Sequence, residues 1–405
     1  MTIFDNLFKM TGFGAITPCT VVMWFIGFIL LYLGIKKKYE PLLLVPIAFG
    51  LLLVNFPGVL PSGESMGVVT ATDENGIMHK TLIEIAKEHG ILNFLYYSLI
   101  KTGFLPPIIF MGVGAMTDFG PMLRNLRLAF FGAAAQIGIF TIIFAALFSG
   151  LFDMNEASAL GIIGGADGPT AIYTTIILAD HLLGPIAIAA YSYMALVPVV
   201  IPMVVKLLMS KKELKINMRE MDKKYPKKRE IKNIHTVKIL FPIILALIIA
   251  ILVPSALPLV GMLLFGNLLK EIGESTSRLS TTASGPLMNI ATIFLGLCVG
   301  ATMTAEAFFD LKTIGIIVGG FFAFAISIAG GIISVKVYNL FAEKKINPLI
   351  GATGLSAVPM ASRVANEIAL KNDPKNHILQ YAMASNISGV IGSAVAAGVL
   401  ISFLS

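Results

Sequence analysis

Asp167 stands in the middle of an apolar stretch, within Gly164-Gly165-Ala166-Asp167-Gly168-Pro169-Thr170. A carboxylate at membrane depth costs about 3 kcal/mol or more. Something must offset that cost, and a small cation is the simplest candidate. The flanking glycines expose backbone carbonyls, which with a carboxylate make a hard oxygen site of the kind small cations prefer. The competing reading is structural, an Asp that caps a broken helix. A Ser or Thr would cap without the charge, which favours the functional reading.

Arg363 lies in a second interrupted stretch, 347–370, with Glu367 one helical turn further on. A guanidinium matches a carboxylate bidentately, so Arg363 is a candidate receiver of a substrate carboxylate. An Arg–Glu pair within one helix is the alternative. Asn347, Gly351 and Ser356 precede it, offering neutral oxygens and, at Gly351, close approach. Asn386 is another polar group on apolar ground. Hydrogen bonding between helices explains these polar residues equally well. Tyr191 and Tyr193 fall inside the apolar segment after the first interrupted stretch. Tyrosines often mark a membrane interface. A buried phenol can instead donate a proton, as decarboxylation of a carbamate requires.

These residues call for membrane elements to hold them. The chain is 56% hydrophobic and 13% charged, against roughly 25% charge in soluble domains. Its 405 residues suit about ten crossings of ~20 residues. The 38 glycines and 20 prolines are tolerated in membrane helices, where neighbours re-satisfy the freed backbone. Cys19 and Cys298 both sit in apolar stretches, with no disulfide or metal spacing. The five histidines are scattered without ligand spacing. The net charge of +7 resides in loops, which argues for cytoplasmic membrane loops rather than nucleic acid. The N-terminus lacks the basic start and small-residue cleavage site of a signal peptide, so the first span is expected to stay.

The apolar segments fall at 20–34, 41–56, 104–116, 128–149, 157–178 and 184–207, then at 239–253, 256–269, 285–303, 313–334, 347–370 and 380–404. The stretch 57–90 is polar and reads as an external loop with a short surface helix near 81–89. Counting every segment as a full span puts the loop 206–238 outside. Yet that loop holds twelve Lys or Arg against four acids and should be cytoplasmic. The conflict dissolves if 157–178 enters and leaves on one face as a re-entrant hairpin. Its glycines and Pro169 cannot hold a regular helix, and irregular backbone at membrane depth survives only against protein or a wet cavity. The segment 347–370 is interrupted in the same way, and both termini are then external.

An internal repeat supports the scheme. Val113-Gly114-Ala115-Met116-Thr117 matches Val299-Gly300-Ala301-Thr302-Met303-Thr304, and Pro169 aligns with Pro359 at nearly the same offset. The expected fold is an all-α polytopic membrane protein of inverted repeats, each with five spans plus one re-entrant or broken-helix hairpin. The first repeat covers 1–205, the basic cytoplasmic loop 206–238 and the second repeat 239–405. Five spans being odd, the repeats lie in opposite orientation, the plan of secondary transporters.

The stretch 164–170, together with Asn347-Pro348-Leu349-Ile350-Gly351-Ala352-Thr353-Gly354-Leu355-Ser356-Ala357-Val358-Pro359 and Arg363, resembles the β subunit of the sodium-ion-translocating decarboxylases. These are the oxaloacetate, methylmalonyl-CoA and glutaconyl-CoA decarboxylase complexes, and the resemblance covers nearly the whole chain. It implies a multi-pass subunit of the bacterial inner membrane that decarboxylates carboxybiotin, exports sodium and consumes an external proton. It implies biotin on a separate carrier protein, a carboxyltransferase subunit and a small membrane-anchoring subunit as partners. It also implies that Asp167 binds sodium, with Asn347, Gly351, Ser356 and Asn386 contributing to the ion path. Arg363, Ser356 and Asn347 would bind substrate, and Tyr193 would be the titrating tyrosine, with Tyr191 close enough to confuse. The alternative function is a secondary carboxylate or cation transporter without chemistry.

Overall fold

The computed structural model describes residues 16–38, 41–56, 68, 80–225, 233–357 and 359–405. Among the described residues every regular element is helical. Local sequence sets many of the boundaries. Thr17 caps Pro18–Ile35, with a proline in its first turn. Asp310 caps the long helix Leu311–Phe341 through Lys312 N, and Gly150, at φ 69°, ends Ile137–Ser149 in the left-handed region that favours glycine.

Six helices are long and apolar enough to cross a membrane: Pro18–Ile35, Leu126–Ser149, Ile234–Leu252, Glu274–Ala301, Leu311–Phe341 and Leu379–Leu404. Two bent pairs, Leu82–Ile100 with Leu105–Met116 and Asp180–Met194 with Val197–Leu208, raise the number to eight if each is one span. The chain is thus an all-helical, multi-pass membrane protein. The expected segments at 41–56 and 256–269 form shorter helices, Pro41–Val54 and Leu257–Glu271. Most of the polar stretch 57–90 lies outside the described residues. The surface helix expected near 81–89 is longer, Leu82–Leu95, opened by a Thr81–Glu84 capping box and broken at Gly90. Large apolar side chains such as Phe130, Phe148, Leu207 and Phe341 point outward, where lipid replaces water as solvent.

Two pairs of helices cross at backbone contact. A Cβ on Gly50 would lie 2.2 Å from the Leu297 carbonyl oxygen, and one on Gly300 would lie 2.1 Å from that of Ile47. These glycines join Pro41–Val54 to Met288–Ala301. Likewise, a Cβ on Gly114 would lie 1.9 Å from the Leu263 oxygen, and one on Gly266 would lie 1.9 Å from that of Met111. These join Leu105–Met116 to Leu257–Glu271. Small residues at such crossings let helices approach where no hydrophobic effect drives them together.

The basic loop is fastened to the later part of the chain. Lys336 pairs with Glu213 at 3.1 Å and Lys344 with Asp222 at 2.5 Å. Asn217 donates to Asp373 at 2.9 Å, and Tyr381 to Asp222 at 2.5 Å. Burial alone would raise the Glu213 carboxyl, but hydrogen bonds from Ser210 and Lys336 outweigh it and hold the group below its ordinary range.

Candidate functional site

The first interrupted stretch is a broken helix. Met154–Ile162 runs into a tight 3-10 turn at Ile163–Gly165. Ala166 then takes the left-handed conformation at φ 53°, and Asp167 opens Gly168–Leu178 as its N-cap. A non-glycine residue at positive φ is a local strain that surrounding packing must hold. Asp167 Oδ1 accepts from Thr170 N at 3.3 Å. Capping therefore accounts for one carboxylate oxygen. The helix N-terminus also favours negative charge there.

The other oxygen is held from a distant element. Ser393 Oγ, in the last helix Leu379–Leu404, donates to Asp167 Oδ2 at 3.0 Å. Ser393 Oγ lies 2.8 Å from Ser356 Oγ, which belongs to the second interrupted stretch. Each hydroxyl has one proton, so if Ser393 gives its own to Asp167, Ser356 gives its own to Ser393. Ser356 N also donates to the Gly165 carbonyl at 2.9 Å. The two interrupted stretches meet here, and Asp167 and Ser356 are both buried at the meeting point.

Two further residues packed around this junction each carry a buried oxygen without a hydrogen-bond partner. Asn386 donates through Nδ2 to the Leu355 carbonyl, and its Oδ1 is left over. Gln136, at the break between Leu126–Ala135 and Ile137–Ser149, donates through Nε2 to the carbonyls of Gly132 and Gly389 at 3.2 and 3.3 Å. Its Oε1 has no partner and sits 3.6 Å from where a Cβ on Gly165 would be. Unpartnered buried acceptors call for an explanation, and an unseen cation is one. A carboxylate, hydroxyls and amide oxygens together make a hard donor set.

Not every residue singled out in the sequence joins this group. Asn347 is fully buried, but its Nδ2 donates to Leu214 and Ile216 carbonyls at 3.2 and 3.0 Å and its Oδ1 accepts from Leu349 N. It ties the second stretch to the start of the basic loop. Gly351 packs backbone to backbone on Gly331 of the long helix, each Cβ position lying 2.0 Å from the other's carbonyl oxygen. Arg363 lies on the exposed face of Met360–Asn372, and among the described residues no ion pair joins it to Glu367. The Tyr193 hydroxyl donates to the Ile317 carbonyl, and its ring packs on Phe321. Tyr191 is the tyrosine against the first broken helix, its ring 2.0 Å from where a Cβ on Gly168 would be.

Ser393 and Gln136 escaped the sequence reading. Ser393 had a legible signal, since it follows Asn386 by two helical turns and so shares its face. Gln136, a lone amide in an apolar run, had no spacing to mark it.

Fold and site together define a polytopic helical membrane protein whose buried carboxylate lies where two broken segments meet. The family model described as the Na+-transporting oxaloacetate decarboxylase beta subunit matches residues 19–404. Methylmalonyl-CoA decarboxylase subunit beta of Propionigenium modestum is 46% identical, over 98% of this chain and 98% of that protein. The oxaloacetate decarboxylase beta chain of Klebsiella pneumoniae is 45% identical, over 95% and 94%. The methylmalonyl-CoA decarboxylase subunit beta of Veillonella parvula is 46% identical, over 99% and 97%. The chain belongs to this beta-subunit family and is a membrane component of a decarboxylase complex.

Proposed function

We propose that this chain decarboxylates carboxybiotin on a separate carrier protein and couples the step to sodium export. The observation that carries the reading is the Ser356–Ser393–Asp167 chain of hydroxyls and carboxylate, buried at the junction of the two broken segments. Asp167, Ser356, Ser393, Asn386 and Gln136 supply sodium's oxygens. Asn347 and Gly351 hold the second broken segment in place.

Arg363 receives the N-carboxylate of biotin. Its exposed position makes it reachable by an arriving carrier. Breaking the N–CO2 bond leaves the electron pair on the biotin nitrogen, which takes a proton, and CO2 departs. Tyr193 delivers that proton. The product biotin then leaves Arg363, and sodium leaves Asp167 toward the outside. The carrier protein, a carboxyltransferase subunit and a small membrane-anchoring subunit complete the complex in the bacterial inner membrane. Residues 1–205 and 239–405 are inverted repeats. The reciprocal glycine crossings support this, because Gly114 and Gly300, which align in the internal repeat, each press on a carbonyl of the opposite half.

The test is whether vesicles holding the complex decarboxylate a carboxybiotinylated carrier only with sodium present, while sodium crosses the membrane. Carboxylate or sodium flux with no CO2 release would leave a plain transporter instead.

A further inference from the structure

A second buried carboxylate lies away from Asp167, at the ends of the first broken helix. Glu156, in the opening turn of Met154–Ile162, has a side chain only 4% exposed. Its Oε1 is 2.6 Å from Lys312 Nζ and 2.8 Å from His181 Nε2. Its Oε2 accepts from Asp153 N at 3.1 Å. The three side chains come from three places. Glu156 begins the descending arm, His181 follows the returning arm Gly168–Leu178, and Lys312 opens the long helix Leu311–Phe341. Next to His181, Asp180 pairs with Lys101, which directly follows the Leu82–Ile100 segment.

One carboxylate oxygen thus clasps both arms of the broken helix to the long helix of the other half. Asp153 and Glu156 already form a capping box, so the helix start needs neither Lys312 nor His181 for its own satisfaction. Lys312 and His181 serve the contact between elements. With the loop 206–238 on the cytoplasmic side, the stretch 183–208 that leads into it starts on the outer side, so this end of the hairpin faces outside.

We infer that Glu156, Lys312 and His181 form a latch that closes the outer mouth of the site, and that its release opens Asp167 to the external side. The inference rests on the sodium-export reading. Glu156 is buried while the Lys312 and His181 side chains are 39% and 57% exposed, so removing either partner leaves the buried carboxylate less compensated and loosens the contact. The latch should therefore open when the Lys312 or His181 side chain is removed, while the chemistry at Asp167 stays intact.

The intact complex in sealed vesicles, with radioactive sodium and no carboxylated carrier, provides the test. Lys312→Met and His181→Ala should raise passive sodium flux roughly tenfold or more, with the decarboxylation rate nearly kept. Lys312→Arg, which keeps the pair, should restore the low flux. Adding Asp167→Asn to Lys312→Met should abolish the extra flux, since the leak runs through the site. Wild-type flux in both Lys312→Met and His181→Ala, or a leak that survives loss of Asp167, overturns the latch and leaves the export reading standing. A wild-type complex that moves no sodium during decarboxylation overturns both.

Discussion

Ser393 and Asp167 are joined by a 3.0 Å hydrogen bond across 226 residues of chain. The last helix thereby reaches into the broken helix of the first half. A hydrogen bond to a charged group is worth about 1.5–3 kcal/mol. Ser393→Ala should raise the sodium concentration for half-maximal decarboxylation roughly tenfold to a hundredfold, with maximal turnover less affected. An unchanged sodium dependence would remove Ser393 from the ion site.

The two tyrosines separate by role. Tyr193→Phe loses the bond to the Ile317 carbonyl and, as the proton donor, should slow turnover by roughly a hundredfold or more. Its sodium dependence should change little. Tyr191→Phe keeps the ring that packs on Gly168 and should stay near wild type. The reverse pattern in steady-state rates would assign the proton to Tyr191.

Arg363→Lys keeps the charge but loses the planar fork. Decarboxylation of the carrier should fall at least about tenfold, through a weaker hold on the carboxylate. Glu367→Gln should have no comparable effect, because no ion pair ties it to Arg363 among the described residues. Equal losses in both variants would make Arg363 a structural partner of Glu367.

Packing at the helix crossings is tested by stability. Gly266→Ala would place a Cβ 1.9 Å from the Met111 carbonyl oxygen, backbone that cannot swing away. Forced overpacking costs about 1–3 kcal/mol or more. Thermal unfolding of the purified subunit should show a clear drop in Tm. Gly285→Ala, with nothing within 4 Å of the new Cβ, should unfold at or above the wild-type temperature.

Much of the site was legible because charge is costly in an apolar run. Asp167 stood out for that reason alone, and the glycines and proline around it announced the broken helix. The capping role weighed against its functional reading turns out to be real, through Thr170 N, and occupies only one oxygen. Ser356 was legible from its place in the second interrupted stretch. Asn347 was not, since sequence cannot show that its amide is spent on Leu214 and Ile216. Gln136 was invisible because Gly165 comes near its side chain only after the hairpin forms. The six long helices followed from hydropathy, whereas the two bent pairs did not, because the bends are set by tertiary packing as much as by local residues.

The central claim is that Asp167 binds the ion whose export is tied to decarboxylation. The most direct measurement is Asp167→Asn in the reconstituted complex, following CO2 release from the carboxybiotinylated carrier and sodium movement together. Asn keeps the shape and can still cap Gly168–Leu178, but it lacks the charge. The account predicts that both CO2 release and sodium transport are lost while the purified subunit keeps its Tm. Decarboxylation at the normal, sodium-dependent rate would contradict it and leave Asp167 a helix cap.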